Sequence, residues 1–461
     1  MPSAALKADL HVHSKYSKRP SQWILQKLDC PESFTHPLEV YRIARSRGMD
    51  LVTITDHNSI AGSLEIAHLK GAFVSEEITS YFPQDGCKIH VLALNISEKQ
   101  HEDIQYLRED IYSLVPYLRE EGIIHILAHP FFDMNHRLSL EHFEKSLLLF
   151  ELFELNGARD SFQNQTIKQI LKSLSYEDID YLANKHNLEP VGKTPWIKGI
   201  TGGSDDHSSL NIARVYTEIA EADGLQDYLQ RLQKGQGQVQ GHSSTAKTLA
   251  HNLYSIAYQF YKSKFNFESY VQKDELLRFV DSALTGKAAE SRGLISRLQG
   301  YIGSKRSSLP FFKNNNLGLT ELILKEGQTI LQNNPNLQTL MHKTDDSFWD
   351  REDYWFSFVQ AASDKLIQEF SENILDKLTQ ARFFNIFESI GSGASVYTLL
   401  APYFVAFRVF SKDRWLVKSC RQRFVAKAEN DSAQDSKVAL FTDTYDQVNG
   451  VALTQIGRAH V

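Results

Sequence analysis

Asp9-Leu10-His11-Val12-His13 lies within the sequence ALKADLHVHSKYS of residues 5–17 and ends a short apolar run in two histidines. In a β-strand, residues two positions apart point to the same side, so His11 and His13 can offer two imidazoles to one centre. This spacing occurs in metal sites, although a His-x-His pair alone is common by chance. The pair is informative here because histidines or acidic residues also accompany nearly all of the remaining apolar runs in the first half of the chain.

The composition is that of an ordinary soluble globular chain of 461 residues, with 42% hydrophobic and 23% charged residues. This length exceeds what one compact core usually holds, so we expect two or three domains. The net charge of -6 gives no overall attraction to nucleic acid or anionic membranes. Any affinity for phosphate must therefore be local, and bound metal cations could supply it.

The cysteines and the N-terminus predict a cytoplasmic location. Cys30, Cys87 and Cys420 are odd in number and far apart, which fits free thiols in a reducing compartment better than disulfides. Residues 1–10 contain no long apolar core and no cleavage motif, so we predict no signal peptide.

Up to about residue 240, short apolar runs alternate with helical patterns. Helices are predicted at Pro37–Arg47, closed by Gly48, and at Glu102–Glu120, closed by Gly122. Apolar runs separated by helices predict a mostly parallel sheet, buried on both faces, in a closed or nearly closed barrel of βα units. The predicted strands are Leu6–His11, Leu51–Thr55, Phe73–Ile78, Ile89–Asn95, Ile123–Ala128, Leu149–Leu155 and Gly199–Gly203.

Imidazoles and carboxylates fall at the ends of these predicted strands. In a βα barrel the C-terminal strand ends meet at one mouth, so these side chains should converge there. Histidine and carboxylate without cysteine favour zinc, manganese or iron, and so many ligands call for two or three divalent ions. We expect His125, His136 and His186 to be ordinary polar residues. The same explanation for the eight candidate ligands would need eight coincidences at strand ends. The predicted metal ligands are His11, His13, His57, Glu77, His90, His129, Asp205 and His207.

Short motifs resemble those of the PHP (polymerase and histidinol phosphatase) family of metal-dependent phosphoesterases. In order along residues 9–208 they are DLHVHSKYS, LVTITDHNS, SEEIT followed by IHVLAL, ILAHPF, FELNG and GGSDDHS. The resemblance implies a distorted (β/α)7 barrel, with a metal cluster at its C-terminal mouth. The ligand sets that it implies are His11, His13 and Asp205 for one ion, Glu77 bridging to a second ion with His90 and His129, and His57 and His207 for a third.

Lys18 departs from the PHP pattern, which usually has Asp or His seven positions after the first histidine of the opening motif. An ammonium group cannot coordinate a cation as those residues do, and it repels one. We therefore hypothesise that Lys18 and Arg19 replace part of the charge of the third ion and bind the phosphate of the substrate.

The predicted reaction is hydrolysis of a phosphate ester, either a phosphomonoester or a nucleotide-like small molecule. A water that bridges two divalent ions becomes a hydroxide nucleophile near neutral pH, while the ions neutralise the phosphoryl oxygens. Asp56 is expected to orient a neighbouring ligand imidazole. Asp206 either transfers a proton or is an inert, exposed carboxylate. Asn156 either lines the substrate site or is a turn residue.

Residues 245–427 are predicted to form a helical domain, because apolar residues recur at spacings of three and four. The apolar segment 389–410 is as long as a membrane span, but its serines, glycines, Pro402 and Arg408 argue against a transmembrane helix. A basic stretch follows it. Segment 389–427 is therefore a buried hairpin with a solvated basic helix, which we prefer, or a peripheral contact with the inner face of the membrane.

The end of the chain is expected to be incomplete. A polar linker at residues 428–436 leads to KVALFTDTYDQVNGVALTQ, residues 437–455. This segment resembles the start of group 1 (GT-B, family 4-like) glycosyltransferases, but one strand cannot form such a domain. Residues 456–461, IGRAHV, match a translated sequencing adapter and are expected to be non-native.

Three functions fit these features. The first, which we prefer, is a PHP-type phosphoesterase in residues 1–244 that acts on a small phosphorylated molecule. The second is a nuclease acting on nucleic-acid ends, which would need a basic groove with aromatic side chains that residues 1–240 do not show. The third is a metal-binding regulatory domain of a glycosyltransferase, which the departure at Lys18 leaves open.

Overall fold

The computed structural model describes residues 5–18, 31–265, 271, 274–286, 317–340, 348–379 and 386–425. An α/β part comes first and is followed by helices. The strands are β1 Leu6–Asp9, β2 Leu51–Val52, β3 Ser75–Phe82, β4 Cys87–Leu94, β5 Ile124–Leu127, β6 Leu152–Asn156, β7 Gly199–Gly203, β8 Val215–Ile219 and β9 Gln238–Gly241. The helices are α1 Pro37–Ser46, α2 Ala61–Ile66, α3 Glu98–Leu107, α4 Ile111–Glu120, α5 Leu140–Leu149, α6 Ser161–Ser173, α7 Tyr176–His186, α8 Gly224–Gln233, α9 Ala246–Phe265, α10 Glu275–Thr285, α11 Leu317–Asn333, α12 Pro335–Leu340, α13 Phe348–Thr379, α14 Ile386–Lys412 and α15 Arg414–Phe424.

The described strands form two sheets, in the orders β2-β1-β8-β9 and β3-β4-β5-β6-β7. β1 is parallel to β2, and β6 is parallel to both β5 and β7. The pairings β1–β8, β8–β9, β3–β4 and β4–β5 are antiparallel. The architecture is α/β as predicted, but the prediction of a mostly parallel sheet is wrong for these four pairings. Strands β8 and β9 were not predicted, since β9 (QVQG) contains a single apolar residue.

Isolated parallel bridges connect the two sheets at both junctions. At one junction, the His13 N–H donates to the Asp206 carbonyl at 3.0 Å. The strand order therefore continues from β7 through β1 and β2 back to β3, in agreement with the expected nearly closed arrangement. That this ring is the distorted (β/α)7 barrel of the PHP family stays a prediction. The bridged pairs are Val12–Asp206, Val52–Ala72 and His57–Glu77.

Strand β4 runs opposite to its neighbours because a tight turn at residues 83–86 joins it to β3. Gly86 in this turn has a φ of +69°, which glycine adopts at little cost. The register places His90 opposite Thr79, on the same face of the sheet as Glu77. Glu77 and His90 therefore come from within a hairpin, and Glu77 does not lie at the C-terminal end of its strand as expected.

One predicted helix and one predicted strand have different boundaries in the structure. The predicted helix Glu102–Glu120 is two helices, α3 and α4. The Asp110 side chain caps α4, and Ser97 starts α3 before the predicted residue. The predicted strand Leu149–Leu155 begins late, since Leu149 is the last residue of α5 and β6 starts three residues further on.

The helical part packs against the α/β part through both apolar and charged side chains. The buried residues Leu416, Val417 and Cys420 of α15 belong to the same hydrophobic cluster as buried residues of α5, α6 and α7. Arg214 and Glu352 of α13 form an ion pair at 3.2 Å, with each side chain 2% exposed. The predicted domain boundaries at residues 1–244 and 245–427 are not tested by these contacts and stay predictions.

None of the helices that the structure describes combines the length and the apolar composition of a membrane span. Segment 389–410 lies inside α14, and the basic stretch continues into α15. Cys87 and Cys420 are free and buried. Arg19, Cys30 and residues 428–461, which include the predicted linker, the glycosyltransferase-like start and the expected non-native tail, lie outside the described residues.

Candidate metal centre

The Glu77 carboxylate lies at the centre of a ring of imidazoles. Its side chain is fully buried, and each of its oxygens approaches more than one histidine. A buried carboxylate is stable only when positive charge or hydrogen-bond donors surround it. From Oε1 the distances are 2.7 Å to His90 Nδ1 and 3.0 Å to His129 Nε2; from Oε2 they are 2.9 Å to His57 Nδ1 and 3.2 Å to both His11 Nε2 and His13 Nε2.

Four donor atoms near the ends of β1 and β7 and inside β3 have the separations expected of ligands around one ion. The Nε2 atoms of His11 and His13 are 3.1 Å apart. Asp205 Oδ1 lies 3.5 Å from the first and 3.3 Å from the second. An ion bound at about 2.0–2.2 Å separates neighbouring ligands by roughly 3.0–3.5 Å in octahedral or tetrahedral geometry. Together with Glu77, these side chains therefore fit a shared divalent cation.

All eight predicted ligands take part in this cluster. Each belongs to at least one of four groups of three residues whose donor atoms lie within 4.8 Å of one another. Among the described residues, the buried atoms His57 Nδ1, Glu77 Oε2 and His207 Nε2 lie close to other ligand atoms but make no well-aligned hydrogen bond. Close approach without hydrogen bonding is what cation ligands require, and the donor set of nitrogen and oxygen fits the predicted metals. That these residues bind ions, and how many, stays a prediction.

Hydrogen bonds to the remote ring nitrogens orient the central imidazoles. His11 Nδ1 lies 2.8 Å from Glu154 Oε1. His13 Nδ1 lies 2.9 Å from Ser17 Oγ, which in turn donates to Asp56 Oδ1 at 2.8 Å. In both rings Nε2 therefore faces the cluster, where it can serve as the ligand atom when the ring is neutral. The hydrogen bonds between Asp56 and Ser17 and between Ser17 and His13 therefore fit the predicted orienting role of Asp56.

Charge interactions outweigh burial at the carboxylates. Burial raises the pKa of Glu77 and Asp205, but the surrounding imidazoles hold both pKa values well below their ordinary range. At His11, burial lowers the pKa, yet Glu154 and Glu77 raise it well above the usual value. Burial lowers the pKa of His90 to about 4. Glu77 and Asp205 are therefore anionic at neutral pH and attract cations.

Backbone strain accompanies the site. His129 and Asp205 have φ values of +29° and +52°, in the left-handed region. For residues other than glycine this costs on the order of 1–3 kcal/mol and is maintained only where the surroundings fix the conformation. At the end of β7, a Cβ on Gly203 would lie 2.4 Å from the Cβ of His11. Glycine at this position therefore allows β7 to approach the segment that carries His11.

Glu32 is a member of the site that the sequence analysis did not identify. Its Oε2 lies 3.2 Å from His57 Nε2, and its Oε1 lies 3.8 Å from His207 Nε2. Burial raises the pKa of Glu32, but His57, His207 and His13 lower it to about 2. The segment around it, PESFTHP of residues 31–37, has neither a strand pattern nor a ligand spacing, so only the folded structure reveals the contact.

The other predicted site residues have different surroundings. Asp206 is buried, which excludes the alternative of an exposed carboxylate, and its oxygens accept hydrogen bonds from the N–H groups of residues 208, 209 and 211. A role of Asp206 in proton transfer stays a prediction. Asn156 donates to Glu154 at 2.9 Å and to Asp205 at 3.1 Å, so it orients a predicted ligand. A contact of Asn156 with substrate stays a prediction. Lys18 is exposed, and its role with Arg19 in phosphate binding also stays a prediction.

Comparisons with known proteins show no family, because no family model matches the chain. The uncharacterized protein MJ1587 of Methanocaldococcus jannaschii is 28% identical over 176 residues, which cover 37% of this chain and 94% of that protein. Similar solved structures include PsfC from Pseudomonas syringae, with 15% identity, a TM-score of 0.29 and coverage of 49% of this chain and 88% of that chain.

Two further solved structures, each 15% identical, have names that describe an enzyme. One is a putative metal-dependent phosphoesterase from Bifidobacterium adolescentis, with a TM-score of 0.27 and coverage of 44% of this chain and 88% of that chain. The other is an amidohydrolase from Chromobacterium violaceum, with a TM-score of 0.25 and coverage of 43% and 87%. At these TM-scores the likenesses carry no argument about this chain.

We expect Asp56→Asn to weaken divalent-metal binding by about 10- to 100-fold, because it disturbs the hydrogen bonds that orient His13. Competition with a fluorescent chelator measures this affinity. The exposed Asp180 provides the matched control, Asp180→Asn, which should bind metal as the wild type does. Unchanged metal affinity in a folded Asp56→Asn protein would contradict the orienting role of Asp56.

Proposed function

We propose that this chain is a PHP-type, metal-dependent phosphoesterase that hydrolyses a small phosphorylated molecule at a centre of two or three divalent ions. The main support is the Glu77 carboxylate, which is buried and presents its two oxygens to different imidazoles. A carboxylate with ligand atoms beside both oxygens has the form of a bridge between two ions. The order of the PHP-like motifs along the chain is a second, independent support.

The chemistry follows from the donor set. Divalent ions held by these residues would supply Lewis acidity and lower the pKa of a bound water, which is what phosphate-ester hydrolysis needs. His11, His13, Glu77 and Asp205 would hold one ion, while Glu154 and Ser17 fix the imidazole orientation. His57 and His207, with side chains 12% and 17% exposed, are among the more accessible members, so a substrate would approach from their side.

A third ion would lie between His57, His207 and Glu32. The anionic Glu32 carboxylate faces both imidazoles and can supply the charge that Lys18 cannot. This arrangement differs from the hypothesis that Lys18 and Arg19 replace the third ion. The number of ions bound to the wild-type chain separates the two ideas.

The alternatives are a nuclease acting on nucleic-acid ends and a metal-binding regulatory domain of a glycosyltransferase. Both would use the same ligands, so the metal centre alone does not distinguish them from a phosphatase. No contact among the described residues favours either alternative, and substrate tests are needed to separate them.

We expect the wild-type chain, with added manganese or zinc, to hydrolyse a member of a panel of phosphomonoesters and nucleoside bisphosphates, and to leave short oligonucleotides intact. Release of inorganic phosphate measures the activity. His11→Ala should lose activity by orders of magnitude, because it removes an imidazole from the centre. His186→Ala is the matched control, since His186 contacts Glu144 outside the cluster. Cleavage of the oligonucleotides alone would support a nuclease, and no cleavage of any substrate would support the regulatory alternative.

We expect dialysed wild-type protein to retain three ions per chain and Glu32→Gln to retain two, because an amide replaces the anionic ligand of the third ion. Elemental analysis by mass spectrometry counts the ions. Glu102→Gln, at an exposed position on α3, should retain the wild-type number. Two ions in the wild type, with no loss in Glu32→Gln, would instead favour the role of Lys18 and Arg19.

A further inference from the structure

Arg159 is a buried arginine beside the metal centre. It follows β6, and its backbone N–H donates to the Asn156 carbonyl at 3.2 Å. Its guanidinium carbon lies 3.8 Å from the centre of the Phe132 ring, and the Phe132 ring packs edge-on against that of His129 at 5.4 Å. Burial lowers the pKa of Arg159, and Asp205 is the charged group that opposes this shift most. The guanidinium is therefore next to the cluster, separated from His129 by one aromatic ring.

The hydrogen-bonding groups of Arg159 are largely unsatisfied. Arg159 is 8% exposed, and its buried Nε and Nη1 atoms have no hydrogen-bond partner in the part of the chain that the structure describes. A buried guanidinium that lacks acceptors is costly, and native proteins rarely retain such groups without a use. Asp413 also lies near it, but within the described residues no ion pair joins the two. The guanidinium is thus positioned by stacking on Phe132 and keeps its donors available.

The available donors match one class of ligand. A guanidinium presents several N–H groups in a planar fork that binds two oxygens of a phosphate at once. No carboxylate of the described residues fills this position. A phosphoryl group bound at the neighbouring cations would bring its remaining oxygens to the guanidinium. Asn156 connects Arg159 to the metal centre, because its side chain donates to Asp205 and its carbonyl accepts from the Arg159 N–H.

We propose that Arg159 binds the phosphoryl oxygens of the substrate and so selects for phosphorylated molecules over uncharged esters. This inference rests on the proposed function, since it concerns the substrate of the same centre. It differs from the sequence-based hypothesis, which assigned phosphate binding to Lys18 and Arg19.

The test is calorimetric binding of inorganic phosphate to the full chain loaded with manganese. We expect Arg159→Gln to weaken phosphate binding by about 10- to 100-fold, the value of a hydrogen-bonded charge, with metal content unchanged. Arg159→Lys keeps the charge but loses the planar fork of N–H groups. Its affinity for phosphate should therefore lie between those of the wild type and Arg159→Gln. Arg231→Gln is the matched control, since Arg231 pairs with Asp227 on the surface of α8.

Unchanged phosphate affinity in either folded Arg159 variant would overturn the inference, as would a wild type that binds no phosphate. If Arg159→Gln does not fold, Arg159→Lys decides the question by the same criterion. A wild type that binds phosphate through Arg159 but cleaves no ester would overturn the proposed activity alone. If the chain cleaves an ester with the same KM in the wild type and in Arg159→Lys, phosphate binding by Arg159 is contradicted while the proposed activity stands.

A second, independent observation concerns the surface of α14 and α15. Tyr397, Phe404, Phe407 and Trp415, which we call the aromatic ridge, are 55–71% exposed. The rings of Tyr397 and Phe404 stack with centroids 6.3 Å apart. The exposed charged residues between 397 and 418 are all basic: Arg408, Arg414 and Lys418. Exposed aromatic side chains beside cations are typical of surfaces that rest on anionic lipid.

We infer that the aromatic ridge docks on an anionic membrane surface. The test is flotation of the full chain with vesicles of phosphatidylcholine, with and without phosphatidylserine. The wild type should float with the anionic vesicles. Phe407→Ser with Trp415→Ser should weaken binding, and each charge reversal of Arg408 or Lys418 should weaken it by about fivefold or more. Tyr106→Ser, at another exposed aromatic, is the control.

Two results would overturn this second inference. One is a wild type that does not float with anionic vesicles. The other is a wild type that is a dimer in light scattering and becomes a monomer in the Phe407→Ser, Trp415→Ser protein, since the ridge would then bind a second copy of the chain.

Discussion

Burial of the Glu77 carboxylate is the constraint on which the rest of the structure depends. A carboxylate removed from water without compensation costs several kcal/mol, so partners must reach it from every side. The five imidazoles that do so come from widely separated segments. Each can reach Glu77 only if β1, β2, β5 and the β3–β4 hairpin occupy neighbouring places in the ring. The ring closure, the antiparallel β4 and the glycine at the end of β7 all serve this convergence.

A second set of residues keeps the imidazoles in position. Glu154 is the main one, because it contacts His11 Nδ1, accepts the His129 N–H at 2.9 Å and accepts the Asn156 amide. Ser17 and Asp56 do the same for His13. These contacts explain how the left-handed backbone of His129 and Asp205 is maintained, since several hydrogen bonds oppose its relaxation. The geometry of the centre is thus set by the protein itself.

Much of this site could be predicted from the sequence, because histidines and carboxylates after short apolar runs carry a positional signal. The eight candidate ligands do lie together. The direction of β4 could not be predicted, since a strand has the same alternation in either direction. Glu32 and Arg159 were not recognised, because their neighbours in the sequence show no ligand spacing and their contacts arise only on folding. Helix boundaries shifted where single capping side chains outweighed the apolar periodicity.

The ion pair of Arg214 with Glu352 has a consequence for how far the chain can be shortened. Each partner is supplied by a different part of the molecule, and neither reaches water. Cutting after residue 244 would remove Glu352 and also Thr248, whose hydroxyl accepts a hydrogen bond from Arg214 at 3.2 Å, and would open the Arg214 guanidinium to water. A chain shortened to residues 1–244 would therefore present to water a surface that the helices cover in the full chain.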